Sequence, residues 1–218
     1  MLFDLDGTLA DTAPDLGGAA NDLLTERGRP ARALDDYRPH ASRGARGMLE
    51  TAFGLRDKDP DFAVLRTRYL EIYAARDNRD TALFPGMNAV LERLEDAGLT
   101  WGVVTNKPMY LTTPLIERLG LRDRARCVIG GDSAPHPKPA PDPLRMACDL
   151  LRLPAASALY VGDDPRDIQA GHAADMPAWI AGWGYIEAGT DLDRWGADGI
   201  LRAPAELTAL LGIADVRP

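Results

Sequence analysis

Leu2-Phe3-Asp4-Leu5-Asp6-Gly7-Thr8-Leu9 opens the 218-residue chain directly after Met1. A short apolar run delivers two carboxylates two positions apart, and Gly-Thr then breaks the run. Side chains at i and i+2 fall on one side of a strand, so Asp4 and Asp6 serve one small volume. Two carboxylates crowded together repel unless a cation or a shared proton intervenes. Hard oxygen ligands of this kind suit Mg²⁺, which keeps several waters and binds one or two carboxylates together with substrate phosphate. Taken alone, an Asp-x-Asp after an apolar run reads first as a solvated turn. The rest of the chain decides between the two.

Working outward, Pro14 is suited to a helix start, and Leu16, Ala19, Ala20, Leu23 and Leu24 recur at helical spacing until Gly28 and Pro30. A second helix is expected over Ala45–Phe53, stopped by Gly54, and a third is marked by Phe62, Leu65, Tyr69, Ile72 and Tyr73. From about Pro14 to Asp77 the pattern is helix only. Beyond Leu83 it alternates: a helix after Pro85-Gly86, an apolar strand at 100–104, a helix around Leu111–Leu119, and a strand at 126–129. A helix over Leu144–Leu151, a strand at 158–161, a helix at Asp167–Ala174 and a strand at 178–181 follow. A strand near 199–201 and a helix at about 205–211 finish the chain. Alternation at this spacing predicts a parallel sheet covered on both faces. The fold class is therefore α/β, a doubly wound parallel-sheet core, Rossmann-like, with an inserted small α-helical cap. The core is expected over 1–13 and 80–218 and the cap over 14–79, with the segments near Ala10–Asp15 and Arg79–Leu83 as hinges. One feature departs from the usual strand of about 5–6 residues: only Met1-Leu2-Phe3 precede Asp4. Either this central strand is short or the true protein begins further upstream, and the second is the expectation.

In open α/β sheets ligands bind outside the carboxyl ends of the strands, so the residues after each strand carry the chemistry. After the first come Asp4 and Asp6; after Val103-Val104 come Thr105, Asn106 and Lys107. After Val128-Ile129 comes a loop holding Lys138 within Pro-His-Pro-Lys-Pro-Ala-Pro, and after Tyr160-Val161 comes Gly162-Asp163-Asp164-Pro165-Arg166-Asp167. The Thr105 hydroxyl and neighbouring N–H groups can donate to phosphate oxygens. The prolines around Lys138 limit the ordering entropy lost in aiming one ammonium group, and a point positive charge is what a transferring phosphoryl group needs. Asp163 can meet a metal. Asp164 and Asp167 can bind it through water or hold Lys138, although acids at a helix start are also favoured by the helix dipole.

Bulk properties narrow the field. With 33 acidic and 25 basic residues the formal net charge is −8, and no basic stripe outweighs it, which argues against nucleic acid as a partner. Cys127 and Cys148 read as buried small apolar residues rather than a disulfide framework. No apolar run approaches the roughly 18 residues of a membrane span, and the acidic N-terminus does not read as a secretory signal. A cytoplasmic monomer or homodimer acting on a small phosphorylated metabolite is the expectation. His40, His136 and His172 read as ordinary polar histidines, since no nucleophile pairs with them by sequence.

The hexapeptide Asp4-Leu5-Asp6-Gly7-Thr8-Leu9, followed in order by Thr105, Lys138 and Gly162-Asp163-Asp164-x-x-Asp167, resembles the four motifs of the haloacid dehalogenase superfamily of phosphohydrolases, over essentially the whole chain. The resemblance implies that Asp4 is the nucleophile and that Asp6 is the general acid/base. It also implies that Thr105, Asn106 and Lys138 hold the phosphoryl group, and that Asp4, Asp163 and the backbone carbonyl of Asp6 ligate Mg²⁺. An Asp at position 6 points to phosphoryl transfer rather than dehalogenation. Trp101-Gly102-Val103-Val104-Thr105-Asn106-Lys107-Pro108, Gly184-Tyr185-Ile186 and Trp195-Gly196-Ala197-Asp198 resemble the phosphoglycolate phosphatase group. More closely still they resemble bacterial N-acetylmuramate 6-phosphate phosphatases of cell-wall recycling. The cap should set specificity, and Arg43 and Arg46 in Ser42-Arg43-Gly44-Ala45-Arg46-Gly47 are the candidates to grip a substrate carboxylate bidentately. A phosphosugar mutase using the same motifs, and a non-catalytic binding protein on this fold, are the alternatives.

Overall fold

The computed structural model describes residues 1–213. In chain order its strands and helices are β1 (Leu2–Phe3), β2 (Ala10–Asp11), α1 (Ala13–Glu26), α2 (Gly44–Phe53), α3 (Phe62–Ala75), β3 (Ala82–Leu83), α4 (Met87–Asp96) and β4 (Gly102–Val104). They continue with α5 (Met109–Arg118), β5 (Val128–Ile129), α6 (Asp142–Leu151), β6 (Tyr160–Gly162), α7 (Pro165–Ala173), β7 (Ala178–Ala181), β8 (Gly199–Leu201) and α8 (Glu206–Leu210). Short 3₁₀ segments at Leu34–Asp36 and Arg38–Arg43 lie between α1 and α2.

Six strands form one sheet in the order β5-β4-β1-β6-β7-β8, with every pairing parallel. The strand order reverses about β1, which pairs with β4 on one side and β6 on the other. That reversal opens a crevice beside the carboxyl end of β1, where ligands settle in sheets of this kind. β1 is two residues long, yet both are fully buried.

Alternation assigns the two faces. Phe3, Val103 and Val161 join one apolar cluster with Leu91 and Leu94 of α4, Leu115 of α5 and Leu207 of α8. Their neighbours Leu2, Val104 and Tyr160 join another, with Leu144 and Cys148 of α6 and Ala170 of α7. Strands buried on both faces explain the unbroken apolar runs of the sequence. Both cysteines are buried and free, and burial pushes the Cys127 thiol up to about 11, so it is a packing group rather than a nucleophile.

Helices α1, α2 and α3 pack on one another as a helical cap, through Leu16, Leu23, Met48, Leu49, Phe62, Leu65 and Tyr69. The predicted hinge segments carry an unexpected element: β2 and β3 pair antiparallel, Ala10 with Leu83 and Asp11 with Ala82. Two residues per strand are too few to show a period of two. Beside this ribbon the fully buried Asp15 accepts hydrogen bonds from Arg76 Nε, Asp80 N and Thr81 Oγ1 at 3.2, 3.0 and 2.7 Å.

Candidate active site

Four strand ends converge on Lys138. Its ammonium is almost fully buried and donates to Val104 O at 3.1 Å, Tyr160 Oη at 2.6 Å and Asp167 Oδ1 at 2.6 Å. Those three bonds use all three donors of a lysine. Asp4 Oδ1 lies 2.9 Å from the same nitrogen but accepts no aligned hydrogen bond, and it is the orphaned buried oxygen among the described side chains. Burial opposes the Lys138 charge, but Asp167 and Asp4 outweigh it and hold the ammonium above its ordinary range. Asn106 aims the group: its Nδ2 donates to Lys138 O, and its Oδ1 accepts from Lys138 N, both at 2.9 Å. One N–H and the oxygen of the Asn106 amide are thus used on the Lys138 backbone, while the residue itself lines the cavity.

Asp4 and Asp163 are crowded with Asp167, one oxygen of each lying within 4.8 Å of the others. Burial, then Asp167 and Asp6 against the pull of Lys138, push the Asp4 carboxyl up to about 7. Asp163 is raised well above the carboxylate range by burial, then by Asp4 and Asp167. Asp163 is gripped from three sides: Oδ1 accepts from Thr8 Oγ1 at 3.1 Å, and Oδ2 accepts from Ser42 Oγ and Tyr185 N, each at 2.8 Å. Gly7 and Gly184 permit that approach, because a Cβ at either position would run into the Asp163 side chain.

This arrangement fits a divalent cation. An unbonded buried oxygen on Asp4, and two crowded buried carboxyls that share only part of the Lys138 charge, are what a hard cation with oxygen ligands relieves. Asp167 is less suited to the task, since it accepts from Lys138, Tyr160 and the backbone N–H of Asp164.

Asp6 stands apart from this cluster. Its Oδ1 accepts from Thr12 Oγ1 at 2.6 Å and from Lys107 Nζ at 3.0 Å. Lys107 also reaches Tyr73 of α3, 2.8 Å to its Oη, with the ammonium 4.6 Å from the ring centroid. The Thr105 hydroxyl accepts from Lys107 N at 3.2 Å, which leaves its own proton free for a ligand. Asp164 does not hold Lys138. It caps α7 through Arg166 N and pairs with the Arg166 side chain, as short acids before a helix do. Arg166 in turn donates to Ser42 O in the cap at 2.9 Å.

A cavity of about 790 Å³ opens between cap and core, lined by Asp4, Asp6, Thr105, Asn106, Lys107 and Lys138 below. Leu16, Arg43, Arg46, Arg66, Tyr69 and Tyr73 line it from the cap. Arg43 pairs with Glu50, and Arg46 with Asp57 at 2.8 Å, so neither expected cap arginine is without a counter-charge. His40, His136 and His172 lie outside the lining, and the last two sit against Asp142 and Asp198. Sequence reading assigned no role to Lys107, Ser42, Tyr160 or Tyr185, which the structure brings into this site. Lys107 and Tyr185 stood in stretches already singled out, but their partners lie 101 and 22 residues away.

Comparison with known proteins shows the family. The haloacid dehalogenase-like hydrolase family matches residues 1–181. A protein of Xanthomonas campestris pv. campestris named phosphoglycolate phosphatase is 43% identical over 207 residues, covering 95% of this chain and 93% of the relative. A Pseudomonas putida protein named N-acetylmuramic acid 6-phosphate phosphatase is 41% identical over 214 residues, covering 98% and 96%. Among solved structures, a predicted phosphoglycolate phosphatase from Haemophilus somnus superposes with a TM-score of 0.83 at 26% identity, covering 96% of each chain.

Proposed function

Because the chain belongs to the haloacid dehalogenase-like hydrolases and is a phosphatase of that family, we propose that it is a Mg²⁺-dependent phosphomonoester hydrolase working through a phosphoaspartyl intermediate. The observation that carries this reading is Asp4. Its carboxyl lines the cavity, with Oδ1 buried 2.9 Å from the Lys138 ammonium, whose positive charge favours the ionised form that a nucleophile needs. In this reading Asp4 attacks phosphorus, and the P–O bond to the leaving group breaks as the Asp4–phosphorus bond forms. Asp6 protonates the departing oxygen, then takes a proton from the water that cleaves the acyl phosphate. Lys138 and the Thr105 hydroxyl face the phosphoryl oxygens. Asp4, Asp163 and the backbone carbonyl of Asp6 would hold Mg²⁺, which supplies charge neutralisation to the carboxylates and the bound phosphate.

The core in this account comprises 1–13 and 80–218, of which 214–218 lie outside the described residues, and the cap comprises 14–79. Among the described residues no helix is long and apolar enough to cross a membrane; we place its action on a small phosphorylated metabolite in the cytoplasm. Between the substrates of the two named relatives, N-acetylmuramate 6-phosphate is the better match. A cavity near 790 Å³ lies in the range of roughly 300–1,000 Å³ that houses ligands of drug size. A substrate with the two carbons of phosphoglycolate would leave most of it empty. The test is phosphate release with Mg²⁺ from both compounds side by side, with Asp4→Asn as the blank. Preference for the amino sugar supports a role in cell-wall recycling. Preference for phosphoglycolate transfers the chain to that housekeeping reaction, and an isomerised sugar phosphate in place of free phosphate makes it a mutase.

A further inference from the structure

Most charges lining the cavity are matched; among its acids Asp132 has no ion-pair partner among the described residues and accepts from Met109 N. Lys138 faces Asp4 and Asp167, and Lys107 faces Asp6. Arg166 faces Asp164, Arg43 faces Glu50, and Arg46 faces Asp57. Arg66 is different. It lines the same cavity from α3, is solvent-accessible, and has no acidic partner among the described residues. The sequence explains why: the residues three and four positions away are Phe62, Ala63, Tyr69 and Leu70, so no carboxylate shares its helix face. Two positions on, Arg68 points elsewhere and is held by Glu26 and Glu71.

Position sharpens the argument. Arg66, Tyr69, Leu70 and Tyr73 all line the cavity, and their spacing makes them one face of α3. At the C-terminal end of that face, Tyr73 reaches Lys107 and through it Asp6. Arg66 lies seven residues earlier, about 10 Å along the axis at 1.5 Å per residue, and side chains on a helix lean further toward its N-terminus. Between the two ends, Tyr69 stacks on Tyr73 with ring centroids 6.3 Å apart, and its hydroxyl is occupied by Leu16 O at 3.1 Å. The cap wall between the reacting end and Arg66 is therefore aromatic and aliphatic.

Resting on the phosphatase reading above, we propose that Arg66 is the carboxylate-binding residue of this cavity. It pairs with an acid group that the substrate carries across a sugar ring from the phosphate. A lactyl ether on the far side of a 6-phosphorylated amino sugar has that layout. In phosphoglycolate the carboxylate adjoins the ester carbon and stays at the reacting end. A planar guanidinium free of internal partners offers the bidentate geometry a carboxylate takes.

The test measures kcat/KM for N-acetylmuramate 6-phosphate, for N-acetylglucosamine 6-phosphate, which lacks the lactyl acid, and for p-nitrophenyl phosphate. The wild-type chain is compared with Arg66→Ala and Arg66→Lys. Arg66→Ala should lower kcat/KM for the carboxylated sugar roughly 10- to 100-fold, the scale of a hydrogen-bonded charge pair. The other two substrates should be unchanged, and Arg66→Lys should recover part of the loss. A uniform loss on all three, no loss on the carboxylated sugar, or a wild-type chain indifferent to the lactyl group overturns the assignment. The phosphatase reading is judged separately, by aryl phosphate hydrolysis that vanishes in Asp4→Asn. A binding arm stands apart from turnover: unphosphorylated N-acetylmuramate should raise the Tm of the wild-type protein and not of Arg66→Ala. An equal shift in both overturns the proposal.

Discussion

Lys138 and Asp4 sit 2.9 Å apart without a hydrogen bond between them, because Val104, Tyr160 and Asp167 take the donors of the ammonium. The pair is coupled chiefly by charge, which partly compensates the buried Asp4 carboxylate. Replacing Lys138 with Met keeps the length and removes the cation, leaving Asp4 and Asp167 buried without compensation. Loss of one partner from a buried ion pair costs about 3–5 kcal/mol. Lys138→Met should therefore melt at clearly lower urea concentration and release no phosphate. Unchanged stability would show that the carboxylates are held by something else.

Asp163 is positioned by what the chain omits. Gly184 has no Cβ because one would meet the Cβ of Asp163. Gly184→Ala should displace that carboxylate and raise the Mg²⁺ concentration needed for half-maximal activity by about tenfold or more, on the scale of disturbing a group that orients a metal ligand. The check is a Mg²⁺ titration of activity at saturating substrate, with circular dichroism to confirm the fold. An unaltered Mg²⁺ requirement would remove Asp163 from the metal set.

The raised carboxyls give the metal-free protein a pH dependence of known sign. Asp4 titrates near 7 when folded and near 3.9 when unfolded. Between those values the folded state binds the extra proton, so stability falls as pH rises, by at most about 1.4 kcal/mol per pH unit for this group. Asp163, shifted in the same direction, adds to the slope. In EDTA the contribution of these groups to Tm should decline from pH 4 toward 7, and Asp4→Asn should flatten it. Mg²⁺ should restore stability above pH 7 and do little near pH 4, where the carboxyls are already neutral.

Much of this was legible in the sequence because it is local. Apolar periodicity placed helices and strands, and polar residues after strand ends located Asp4, Thr105, Lys138 and Asp163 on one rim. What stayed hidden depends on distant partners. Asn106 reads only as a phosphate donor, and its second task, aiming Lys138 through a backbone 32 residues away, shows only in the fold. Lys107 stands beside Thr105 and Asn106 at a strand end with no role of its own until Asp6 and Tyr73 close around it. Arg43 and Arg46 look like free cations in a glycine-rich segment, yet their acids are contributed by Glu50 and Asp57. Arg66 could have been singled out, since its helix neighbours show no acid at the spacings that pair.

The most direct test of the central claim is to find the phosphoryl group on Asp4. The protein is mixed with Mg²⁺ and excess N-acetylmuramate 6-phosphate or p-nitrophenyl phosphate, quenched in acid within the first turnover, and digested for mass spectrometry. The account predicts one acid-stable phosphoryl group on the peptide containing Asp4, absent in Asp4→Asn, which also releases no phosphate. Label on another residue, or undiminished turnover in Asp4→Asn, would contradict it.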